Sequence, residues 1–134
     1  MDSEIATTTY SIPEPFRHTL QSVCDVLTAR DLRIVGELDL SRRIRRNLRI
    51  SLAPCVVFYV WPSERFLLST AVNPSIALLL PLHVVVSGCG ARTEIHILTR
   101  PRFADRQLMA PVIELQHEMT QAIETIAMRP SLVG

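Results

Sequence analysis

The stretch CVVFYVW, Cys55 to Trp61, is shut between Pro54 and Pro62. Seven residues are too few for a core helix, the composition is β-branched and aromatic, and proline stops regular structure on both sides. The stretch reads as a strand, and a strand with so much apolar surface needs partners. Ile5 to Ile12 opens the chain with threonine, aromatic and branched residues before Pro13 and Pro15 end it. Leu32 to Leu40 alternates loosely around Gly36. Leu82 to Ser87 and Thr93 to Thr99 form a hairpin around the turn GCGA. These strands outnumber the connections long enough for a parallel crossover, so the sheet is expected to be largely antiparallel.

Helical spacing marks what covers it. Pro15 suits the first turn of a helix running to about Arg30, with Phe16, Leu20, Val23, Cys24 and Leu27 inward and Arg17, Gln21, Asp25 and Thr28 outward. Pro62 opens a short helix, SERFLLSTAV, that Asn73-Pro74 terminates. A last helix starts near Ala110-Pro111 and runs to about Met128, burying Val112, Leu115, Met119, Ala122, Ile123 and Ile126. The expectation is an α+β fold in strand-helix-strands-helix order, a mostly antiparallel sheet with helices packed on one face. No repeat, linker or low-complexity tract divides residues 1–134, so one domain is expected.

Hydrophobic residues make up 48% of the chain and mean hydropathy is +0.24, with only 5% aromatic. The core should be aliphatic, and the apolar surplus suits a self-associating surface or a lined ligand cavity. Cys24, Cys55 and Cys89 are odd in number and lack any CxxC spacing, which excludes a zinc knuckle and a thioredoxin-like pair and reads as reduced thiols. The start, MDSEIATTTYSIPEPF, has no apolar signal segment. The longest near-apolar run, Ile76 to Val86, is interrupted by Pro81 and His83 and is too short to cross a bilayer. A cytoplasmic protein without a membrane partner is expected.

All fourteen basic residues are arginine, which removes the lysine that Schiff-base, pyridoxal-phosphate and much phosphoryl-transfer chemistry requires. Seven arginines lie between Arg30 and Arg49, five of them within SRRIRRNLRIS, Ser41 to Ser51. With Ser41 as N-cap, Leu40, Ile44 and Leu48 would form one apolar stripe of a helix. Arg42, Arg45, Arg46 and Arg49 stand at i, i+3, i+4 and i+7, which places four guanidinium groups on a single other face. Like charges at that spacing repel by about a few tenths of a kcal/mol per pair. Such a face gains from a docked phosphate, from a nucleic acid, or from carboxylates such as Glu37 and Asp39. The dull alternative is a solvated surface.

The centre of the chain, VWPSERFLLSTAVNPSIALLLPLHVVV, Val60 to Val86, resembles the signature of the family called domain of unknown function three hundred and two. Pro62, Pro74, Leu78 to Leu80, Pro81 and Val84 to Val86 carry the likeness, which spans roughly residues 5 to 128. The resemblance implies a small α+β fold, similar in layout to the TATA-binding-protein-like arrangement, and a homodimer. It implies no agreed activity. Where family members often carry cysteine and asparagine beside the two signature prolines, this chain has Val60, Trp61, Leu82 and His83. No thiol or metal role passes to these positions.

The remaining constellations are sparse. Glu114 and His117 form an ExxH on the last helix without the second copy that a di-metal bundle needs, and Glu94 and His96 share a strand face but make only a pair. Cys55 or Cys89 could pair with His83 or His96, yet no GxSxG, HExxH or phosphate-cradling glycine loop is present. Trp61, which shares a strand face with Tyr59, and His83, which could face a cavity, are the candidate ligand-binding side chains. No motif identifies a cofactor or a catalytic residue. The leading expectation is a non-enzymatic, homo-oligomeric module binding a small ligand or partner between sheet and helices. The alternatives are a nucleic-acid or polyanion binder using Arg42, Arg45, Arg46 and Arg49, and a metal- or thiol-dependent enzyme.

Overall fold

A computed structural model of the chain describes residues 6–62, 68, 80–100 and 106–128. Its elements, in chain order, are β1 (Ala6–Ile12), α1 (Phe16–Ala29), β2 (Arg33–Asp39), α2 (Leu40–Leu48), β3 (Cys55–Trp61), β4 (Leu82–Cys89), β5 (Arg92–Arg100) and α3 (Arg106–Ala127). All pairings are antiparallel, and the strands lie in the order β1-β5-β4-β3-β2. The α+β layout read from the strand and helix periods is the one found. The short helix expected after Pro62 falls on residues 63–72, which lie outside the described set except for Leu68.

Alternation decides which face is dry. Val56, Phe58 and Val60 of β3, Val84 and Val86 of β4, and Ile95 and Ile97 of β5 are buried together. Val23 and Leu27 of α1 and Val112, Met119, Ile123 and Ile126 of α3 close over them. Removing side chains of this size from water contributes about 1.5–3 kcal/mol each, which makes this two-layer contact the main driving force of the fold. All six residues expected on the buried face of the last helix are there. That helix begins at Arg106, earlier than Pro111 suggested. Proline removes one ladder bond near the helix start, and the apolar face downstream outweighs it.

The ends of α1 explain why the helix stops where it does. Arg30 is followed by Asp31 in the left-handed region (φ 62), whose N–H bonds to the Thr28 carbonyl while the Leu32 N–H bonds to Leu27. This is the two-bond Schellman closure, with Asp31 in the position glycine usually takes and buried Leu32 packing back on Leu27. Arg30 then donates to Gln121 (3.0 Å) and pairs with Glu118 (3.4 Å), tying the end of α1 to α3. On the other flank the Tyr10 hydroxyl donates to Glu124 (3.1 Å), and the Gln116 amide donates to the Leu98 carbonyl.

Two glycines have evident tasks. Gly90 (φ 63) and Ala91 form the two-residue turn between Cys89 and Arg92, so the hairpin is longer and tighter than GCGA suggested. At Gly36 an added Cβ would sit 3.1 Å from Cδ2 of Tyr59, which lies across it on the neighbouring strand. The register shifts between Ile34 and Gly36, leaving Val35 exposed on edge strand β2, and the opposite edge strand β1 shifts between Ala6 and Thr7.

The arginine helix differs from its expectation in three respects. Its N-cap is Asp39, not Ser41: the Asp39 carboxylate accepts from the Arg42 N–H and the Ser41 hydroxyl, both at 2.8 Å. Ser41 is buried one residue inside the helix and accepts from the Cys55 N–H (3.2 Å), pinning α2 to the start of β3. Leu40 and Ile44 are half-buried, but Leu48 is 64% exposed, so the apolar stripe covers only the first turn and a half. Arg49 lies beyond the helix as its left-handed cap (φ 55), with its N–H bonded to Arg45.

The Arg42 N–H, then the Ser41 hydroxyl, hold the Asp39 carboxyl below its ordinary value. A depressed folded-state pKa gives stability that is complete above the unfolded value and lost as pH falls through the folded one. Asp39→Ala should therefore cost about 1 kcal/mol at neutral pH. Asp39→Asn should keep most of the stability there but remove this residue's share of the acid sensitivity. Urea denaturation midpoints at neutral and acid pH measure both.

Candidate functional site

Helical spacing puts Arg17, Leu20, Gln21 and Cys24 in one row along α1. That row forms one wall of a groove of about 370 Å³; Glu37 of β2 and Phe58 of β3 complete it. Glu37 and Phe58 are cross-strand partners, so their side chains leave the sheet on the same, helix-covered face. Phe58 and Leu20 make an apolar floor, and Arg17 and Glu37 place one cation and one anion at its rim. Among the described residues neither Arg17 nor Glu37 makes a hydrogen bond or ion pair. Gln21 is partly committed, donating to Asp25 at 2.9 Å. Burial, and then the carboxylates of Glu37 and Asp25, push the Cys24 thiol up, so it stays protonated at neutral pH.

Trp61 and His83 stand elsewhere. Alternation puts Cys55, Val57, Tyr59 and Trp61 on the sheet face turned away from α1 and α3, with His83 opposite Tyr59. His83 is exposed and meets the Tyr59 ring edge-on at 5.2 Å between centroids. Neither Trp61 nor His83 lines the groove.

That outer face carries a chain of groups which no short motif announces. His96 Nδ1 bonds to the Thr9 hydroxyl and His96 Nε2 to the Ser87 hydroxyl, both at 3.0 Å. The Glu94 carboxylate lies 3.6 Å from the same Nε2. The three strands β1, β5 and β4 bring these residues together through register alone, so a linear reading sees only the Glu94–His96 pair. A histidine between two hydroxyls can pass a proton, but activating Ser87 would leave an imidazolium whose Nδ1 faces a neutral Thr9 hydroxyl. The carboxylate that steadies such a charge in a catalytic triad is missing from that side. Cys55 is the cross-strand partner of Ser87 and not of either histidine. Burial, then Asp39, raises its thiol.

Every arginine of the segment is exposed, although Ser41 is buried and Ile44 half-buried. Arg42, Arg45 and Arg46 belong to α2 and Arg49 to its cap, and among the described residues none of the four guanidinium groups has a hydrogen-bond or ion-pair partner. Asp39 spends its carboxylate on the helix cap, and Glu37 points to the groove. Arg45 and Arg46 also sit in the last turn, where the helix dipole favours positive charge. Among the described residues no group of three or more His, Cys, Asp or Glu side chains is placed to hold a metal. His117 of the ExxH pair contacts Gln121, and its neighbour Glu118 pairs with Arg30.

The family model described as "Domain of unknown function DUF302" matches residues 8–126. Among solved structures the chain is similar to the uncharacterized conserved protein DUF302 from Bacillus stearothermophilus. The TM-score is 0.77 at 13% sequence identity, over 88% of this chain and 95% of that one. At that identity the likeness concerns the fold. No curated protein matches the chain.

The three thiols differ in setting: Cys89 is exposed at the hairpin tip, whereas Cys24 and Cys55 are half-buried with raised pKa values. Iodoacetamide at neutral pH should therefore label Cys89 first and the other two several-fold more slowly, as followed by peptide mass spectrometry. Equal rates at Cys24 and Cys89 would mean that the α1–β2 groove is far more open than its walls indicate.

Proposed function

The chain belongs to the DUF302 family, and from that premise we propose that it is a non-enzymatic, homo-oligomeric binding module that takes a small ligand in the groove between α1 and β2. One observation carries the reading. Arg17 and Glu37 face the same groove without a hydrogen-bond or ion-pair partner among the described residues, above an apolar floor of Leu20 and Phe58. Two unpaired opposite charges at the rim of one cleft favour a ligand with an anionic and a cationic end and a short apolar body. The volume of about 370 Å³ falls at the lower end of the range for small-molecule sites. Free thiols at all three cysteines suit a cytoplasmic location, and the apolar surplus suits a self-associating surface.

A second reading rests on the arginines of α2. Four guanidinium groups without a partner among the described residues support binding of a polyanion. They support it better than they support base recognition, because residues 42–54 contain no aromatic ring to stack on a base, Tyr59 is half-buried and Trp61 packs against the core.

Native mass spectrometry tests the main proposal. The purified chain should appear as an oligomer, expected to be a dimer, carrying an extra small mass per copy. Arg17→Ala and Glu37→Ala should each shed that mass while leaving the oligomer and the thermal midpoint within about 2 °C. A bare wild-type monomer would remove the proposal.

A further inference from the structure

We infer that α2 and the segment after it form a docking surface for an anionic lipid bilayer; the inference rests on the polyanion reading of the same arginines and names what they meet. Residues 45–54 are exposed without a break, and residues 40–63 contain no acidic side chain. Guanidinium groups are only half of what is exposed there. Leu48 (64%), Ile50 (50%) and Leu52 (47%) alternate with Arg49, Ser51 and Ala53. Three large aliphatic side chains set among five arginines need an explanation that charge alone does not supply.

A soluble polyanion would satisfy the arginines and leave the aliphatic groups in water. A second copy meeting this patch symmetrically would bring the same five arginines against each other with no carboxylate between them. An anionic bilayer surface accounts for both classes at once. Headgroup phosphates and carboxylates take the guanidinium forks, while the leucines and isoleucine enter the boundary between headgroups and acyl chains. The combination of one basic and one apolar signal is what reversible surface attachment requires. The cytoplasmic leaflet, which the free thiols of this chain would suit, is the anionic one. Spanning and surface attachment are separate demands: no described helix is long and apolar enough to cross a membrane, and docking asks for none.

Co-sedimentation of the full chain with vesicles tests this. Vesicles of phosphatidylcholine with about one-third phosphatidylserine should bind it at least about tenfold more than phosphatidylcholine alone, with binding weakening as salt rises. The triple variant Leu48→Ser, Ile50→Ser, Leu52→Ser alters only exposed positions and should lose about tenfold on anionic vesicles while keeping its retention on a heparin column. Arg45→Ala with Arg46→Ala should lose both. If the triple variant sediments like the wild type, the aliphatic groups do not enter the bilayer and the inference falls; if the wild type binds heparin and ignores the vesicles, the bilayer is not the partner and the polyanion reading stands alone. If the wild type binds neither, both readings fall.

Discussion

The structure depends on a single asymmetry: α1 and α3 close over one face of the sheet, while the other carries Tyr59, His83 and His96. Strand side chains alternate with a period of two, so a slip of one residue in β3, β4 or β5 would turn Phe58, Val84 and Ile95 to the wrong side together. Covering the dry face then dictates where α1 and α3 lie, and their polar sides follow from their own period. Arg17 and Gln21, turned from the core, reach the groove for this reason, and Tyr59, His83 and His96 lie together across the sheet from it. The groove, the histidine chain and the arginine patch are all by-products of how that one face is closed.

What was legible in the amino-acid sequence was whatever follows from period and punctuation. Prolines 54 and 62 bound β3 on the strand expected, and the spacing from Val112 to Ile126 gave the buried stripe of α3. Cap selection was less visible, because Asp39 and Ser41 are both good caps and only the ladder ending at Asp39 decides between them. The nine-residue length of α2 was hidden too: nothing local in NLRIS requires Arg49 to turn left-handed, nor marks Leu48, the last helical residue, as exposed. The groove draws on α1, β2 and β3, and the Thr9–His96–Ser87 chain on three strands. Neither set is contiguous, so no spacing rule could assemble it.

The two charged regions are handled differently. In the groove, one cation and one anion stand over an aromatic floor, an arrangement that rewards a particular small shape. Around α2, five cations stand beside aliphatic groups with no enclosing wall, an arrangement that rewards an extended surface and tolerates variety in what lies on it. Asp39 is the hinge of this division. Its carboxylate accepts from the Arg42 N–H and the Ser41 hydroxyl, while Arg42 and Arg45 reach it only through their field and not through a side-chain hydrogen bond.

The displaced registers at Val35 on β2 and at the start of β1 matter beyond their own strands. A bulge bends a strand locally and spoils the straight, evenly spaced row of amides and carbonyls that a foreign strand would have to match. At β2 the bulge breaks the edge in mid-strand, where a foreign strand would otherwise add most easily; at β1 it marks only the first pair, and Thr7 to Ile12 run on in regular register.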